Sequence, residues 1–148
     1  MADTLFPVFD VPEIDTTSQD EHRKYKPSVD FDFDTGDFVR DGAHRMTTST
    51  GKEAFMQWCQ KVVMTERDAC LAYSTDIGIE GEYALSLVDH DAVEAALEQT
   101  ITEALMVNVH TEYVRDFEFT WSADEIRITF TVKGRPWDEI KLSTSIKT

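Results

Sequence analysis

Residues 113–147 read "YVRDFEFTWSADEIRITFTVKGRPWDEIKLSTSIK". In their middle, Ile126, Ile128, Phe130 and Val132 alternate with Arg127, Thr129, Thr131 and Lys133. That period of two is a strand with one buried face and one wet face. Before it, Tyr113, Phe117, Phe119 and Trp121 fall on one face of a segment over 113–121. "SADE" and "GRPW" then supply turns, and 138–147 places Ile140, Leu142 and Ile146 together. Three such runs joined by short turns predict an antiparallel meander. The last run is polar outside its inward positions and comes last in the chain, so an edge strand is expected there. An edge leaves a row of N–H and C=O groups free for a partner strand.

A sheet with one apolar face needs something to cover it, and two helices are predicted upstream. The first lies in "GKEAFMQWCQKVVMTERDACLAYSTDIG" (51–78), entered by a T-x-x-E capping box at Thr50 and Glu53. Phe55, Trp58, Cys59 and Val62 make one apolar stripe at i, i+3, i+4 and i+7. The next stripe position is Glu66. Burying that carboxylate without a partner is costly, and Arg67 beside it points about 100° away on a helix. Either the helix ends near Thr65, or Glu66 meets something distant in sequence or on another chain. The second helix is predicted over about 91–107, with a D-x-x-E start at Asp91 and Glu94. Val93, Ala96, Leu97, Ile101, Ala104 and Leu105 form its apolar face, and Glu94, Glu98 and Glu103 its wet side. Between the helices, 69–91 reads as a loop with a short helix near 80–87. Ahead of them, "TG" and "DG" turns separate hairpin-like strands near 29–34, 37–40 and 43–48.

The N-terminal end differs in kind. "LFPVFDVPEI" (5–14) is apolar, but Pro7 and Pro12 argue against a helix or central strand. "DTTSQDEHRKYKPS" (15–28) has no periodicity and reads as a linker. The expectation is an extended arm and linker over 1–28 followed by one domain over 29–148. The fold class is α+β: a small, mostly antiparallel sheet packed against two main helices.

Composition excludes several functions. The chain has 148 residues and a net charge of −15, from 29 acidic and 14 basic side chains. Such a surface repels nucleic-acid phosphates and anionic membranes. No run is apolar for long enough to span a bilayer, and no signal peptide is evident. The reading is a soluble protein made inside a cell. Cys59 and Cys70 lack metal-ligand spacing, and on one helix they would lie about 16 Å apart, too far for a disulfide. His22, His44, His90 and His110 are scattered without a metal-site spacing. No cofactor or metal is expected. Glu66 and Asp76 are the one carboxylate pair that invites a catalytic reading, as acid and nucleophile of a peptidoglycan hydrolase (muramidase). With 29 of 148 residues acidic, such a pair is expected by chance. A non-enzymatic assembly component fits better.

The order of features resembles a known family. "LFPVFDVPEI", "FDFDTGDFV", "GKEAFMQWCQKVVMTER" with "AYSTDIGIE", "ITEALMVNVHTEYVRDFEF" and "ITFTVKG" are similar to the contractile-tail baseplate wedge and sheath-initiator proteins. That family includes T4-like and type VI secretion members, some with an old lysozyme label. The T4-like relatives carry E-P-R at the place of Glu66 and Arg67, where this chain reads Thr65-Glu66-Arg67 with no proline. The resemblance implies a structural protein of a virion tail baseplate, assembled in the host cytoplasm, in six copies. It implies that Glu66 and Arg67 contact other wedge components, with hub or tube proteins nearby. It implies that Ile140, Lys141, Leu142, Ser143, Thr144, Ser145 and Ile146 receive a strand from the tail sheath protein, templating its first ring. Leu5, Phe6, Pro7, Val8 and Phe9 are the expected contact residues of the arm.

Overall fold

In the computed structural model, which describes residues 25–147, the meander is a three-stranded antiparallel sheet. Its strands are β5 (Thr111–Trp121), β6 (Glu125–Gly134) and β7 (Glu139–Lys147), in the order β5-β6-β7. The alternation over β6 is realised: Ile126, Ile128, Phe130 and Val132 are fully buried. Ile140 and Leu142 of β7 join them in the core, with Ile146 packed at its margin.

β5 departs from its expected pattern. A bulge sets Asp116 and Phe117 against the single residue Phe130, between the pairs Arg115↔Thr131 and Glu118↔Thr129. The extra residue reverses the parity of the strand. Val114 therefore shares the inner face with Phe119 and Trp121, while Tyr113 pairs with Lys133 on the outer face. Asp116 takes the left-handed conformation (φ 58°) that lets the strand absorb the insertion. Phe117 still turns inward and stacks on Phe130, 5.4 Å between centroids.

Helices α1 (Gly51–Val63) and α3 (His90–Met106) lie on the inner face, against β7 and β5 respectively and against each other. Phe55, Cys59 and Val62 of α1 meet Leu97, Ile101 and Leu105 of α3 in one core cluster. Each such side chain stabilises the fold by about 1.5–3 kcal/mol through burial. Gly134, at the end of β6, admits the Phe55 and Trp137 rings; a Cβ there would lie 2.6 Å from Phe55.

Helix α1 begins where expected, whereas α3 is capped at Asp89 and takes Asp91 into its first turn, and neither cap is a side chain. Thr50 and Asp89 occupy the N-cap positions without a side-chain hydrogen bond to the first turn. Gly51 enters α1 with φ 58°, which departs from the geometry a Thr-x-x-Glu box uses. Glu94 is not on the wet side either, because its carboxylate accepts the Trp121 indole N–H at 2.7 Å.

Ahead of α1 the strands are shorter than the alternation suggests. β1 (Ser28–Val29) pairs with β4 (Thr48–Ser49), and β2 (Phe31–Asp32) with β3 (Asp37–Phe38). The Asp32 carboxylate accepts the Asp34 and Thr35 N–H groups and closes the strand into a turn after two residues. Tyr25 already packs edge-on against Phe55 and Trp137. The arm residues Leu5, Phe6, Pro7, Val8 and Phe9 lie outside the described residues.

Candidate functional site

The first apolar stripe stops one turn short of Glu66. Helix α1 ends at Val63 with Met64 as its cap, and the Thr65 hydroxyl donates back to the Lys61 carbonyl at 2.6 Å. The chain then straightens. Ile79 N–H donates to Thr65 C=O at 2.9 Å, and Arg67 N–H to Ile79 C=O at 2.8 Å. These make a parallel bridge between Glu66 and Ile79, whereas the other pairings among the described residues are antiparallel.

Gly78 permits this close passage. Its φ is +104°, and a Cβ there would lie 2.8 Å from the Thr65 carbonyl oxygen. Only glycine tolerates both the angle and the contact.

Straightening carries Glu66 to the start of the short helix α2 (Gly81–Leu85). Its carboxylate accepts Gly81 N–H at 3.1 Å and Glu82 N–H at 3.3 Å. The N-cap residue of α2, Glu80, makes no side-chain cap bond of its own, so Glu66 supplies that function from 15 residues away. A cap is worth about 0.5–2 kcal/mol, which matters for a helix of five residues that is marginal alone. Arg67 pairs with Glu80 at 2.7 Å and points Nε and Nη2 at the Gly78 carbonyl. Glu80 is half exposed, so this ion pair contributes only about 0–1 kcal/mol. Glu80 N–H donates to the Thr100 hydroxyl at 2.9 Å, tying the assembly to α3. Glu66 and Arg67 thus have different partners, all within the chain. They pin both ends of the loop over 68–77, which holds Leu71 fully exposed and Tyr73 nearly half exposed.

The strand edge lies close by. A cleft of about 280 Å³ is lined by Met64, Glu66 and Glu82 on one side and by Ser145, Ile146 and Lys147 of β7 on the other. The two regions singled out in the sequence therefore meet. Among the described residues β7 pairs with β6 alone. Its Lys141, Ser143 and Ser145 are exposed, while Thr144 is half-buried. Lys141 reaches across the outer face to Glu118 on β5 at 3.2 Å. The opposite edge, β5, carries the bulge, which blunts it as a template.

The carboxylate pair of a hydrolase is not assembled. Asp76 is exposed, bonds the Ser74 hydroxyl and does not line the cleft that Glu66 lines. His90 stacks on Trp121 at 3.9 Å and His110 packs against Tyr25. Among the described residues no group of His, Cys, Asp and Glu side chains is placed to hold a metal ion. No described helix is long and apolar enough to cross a membrane.

Gly78, Glu80 and Thr100 complete the site and were not foreseen. The closely spaced glycines in "DIGIEG" were the available signal for a tight approach. Nothing local marks Thr100, which sits on the apolar face of α3 like a core residue.

Compared with known proteins, residues 28–135 match the family described as contractile injection system sheath initiator. The match takes in everything from β1 through β6 and stops before β7. A search of curated proteins finds no match.

Proposed function

The chain belongs to the contractile injection system sheath-initiator family, structural proteins of the tail baseplate that associate with sheath and baseplate components, and on that premise we propose that β7 is where the sheath is started. The observation that carries this is the edge of β7, which pairs with no further strand among the described residues and is flanked by the cleft at Glu66. Ile140–Ile146 would accept a strand of the tail sheath protein, whose backbone groups complete the ladder. The added strand would template the first sheath ring. The domain over 29–148 would join wedge proteins to hub or tube proteins in six copies, assembled in the host cytoplasm. The arm over 1–28 would contribute contacts through Leu5, Phe6, Pro7, Val8 and Phe9.

Glu66 and Arg67 serve the wedge contact in this reading by shaping it. Both are spent on partners within the chain, so they position α2 and the loop bearing Leu71 and Tyr73 rather than reach out themselves. Baseplate reconstitution tests this. Glu66→Ala and Arg67→Ala should leave the monomer folded and stop wedge assembly. Gly78→Ala should do the same with both charges intact. Normal assembly of all three variants would overturn the contact role. Failure of the charge variants alone would mean that the two side chains touch the neighbour directly.

A further inference from the structure

A second cleft, of about 550 Å³, opens between the entry segment, α1 and His110. Tyr25, Pro27, Ala54 and Trp58 give it apolar walls. Among the described residues its lysines are Lys26 and Lys61, and no carboxylate lines it. That is unusual in a chain with 29 acidic and 14 basic residues. The cleft suits an apolar segment carrying negative charge, and its volume is that of a ligand site.

We propose that in the free chain this cleft is occupied by the chain's own residues 5–14, "LFPVFDVPEI". The segment supplies Leu5, Phe6, Val8, Phe9 and Val11, with Asp10 and Glu13 and no basic residue. Ten residues, 15–24, separate it from Tyr25, which is itself part of the cleft wall. Ten residues span at most about 33–36 Å, so the segment is tethered within reach. A tether of this length gives an effective concentration in the millimolar range. A second copy's segment, or any partner with the same chemistry, competes at its far lower bulk concentration. Leu5 to Phe9 are then covered until an assembly partner displaces them. The inference stands on the cleft and the tether, and does not depend on the role of β7.

Intrachain disulfide formation in the full chain tests it. Cys70 is exposed and is replaced by serine. Cys59 stays, since it is buried and burial pushes its thiol up to about 12. Phe6→Cys, Val8→Cys and Val11→Cys are each combined with Lys61→Cys at the cleft, or with Glu103→Cys, an exposed position on α3 that does not line it. At least one arm position should form a concentration-independent intrachain disulfide with position 61 about tenfold faster than with 103, as tethered docking requires. Adding Lys26→Glu should slow it. Equal rates at 61 and 103, crosslinks only between chains, or no crosslink at 61 would overturn the proposal.

Discussion

At the scale of single residues, Glu66 shows how a break in a pattern becomes informative. Stripe arithmetic placed a carboxylate where an apolar residue belongs, and the molecule resolves this by ending α1 and using the carboxylate as the cap of α2. The break was legible in the sequence. The cap was not, because the N–H groups that donate to it sit 15 and 16 residues downstream in a loop without periodicity. Glu66→Ala should cost about 0.5–2 kcal/mol, read by urea denaturation, and should speed amide exchange in α2 before the rest of the fold. A uniform change in exchange would count against a local cap. Tyr25 gives a prediction in pH. Burial pushes its hydroxyl from 10.0 up to about 12, partly opposed by the hydrogen bond from Asn108. The folded chain therefore keeps this proton at a pH where the unfolded chain loses it. Its contribution to stability is full below about 10 and is lost as pH rises to about 12. Tyr25→Phe should flatten part of that alkaline decline, to which Cys59, shifted the same way by burial, and Tyr113, raised by its hydrogen bond to Glu139, also contribute. Identical declines in wild type and variant would contradict it.

At the scale of elements, strand alternation survived folding wherever pairing was regular and failed where it was not. β6 and β7 present the residues that period-two reading assigned to the core. β5 does not, because one extra residue at Asp116–Phe117 moves Tyr113 to the outer face beside Arg115 and Glu139. Nothing in "YVRDFEFTW" marks a bulge; it is set by the register of β6 against it. On β7 the free edge can be probed with proline. Adjacent residues of a strand aim their N–H groups in opposite directions. Of Ser143→Pro and Thr144→Pro, one removes a donor facing the edge and the other a donor to β6. The first should leave circular dichroism and melting nearly unchanged yet impair sheath attachment. The second should destabilise the sheet itself, visibly in both. Sheath polymerisation at the wild-type rate from baseplates carrying the edge-facing variant would count against strand addition.

At the scale of the whole molecule, sequence reading reached the α+β class, the two main helices and the family, because these rest on many residues at once. It did not reach the meeting of the Glu66 region with the end of β7, since no local pattern brings residues 66 and 146 into one cleft. That meeting gives the sheath-initiator family member a single face on which the proposed wedge contact and the proposed sheath contact adjoin. Both should therefore respond to one perturbation, whereas the charged outer face of the sheet should not. Hydrogen exchange on the full chain with and without its sheath protein tests the central claim most directly. Backbone amides over 140–146 should slow on sheath addition, with β5 unchanged. Unchanged exchange over 140–146 while sheath binds elsewhere on the chain would contradict it.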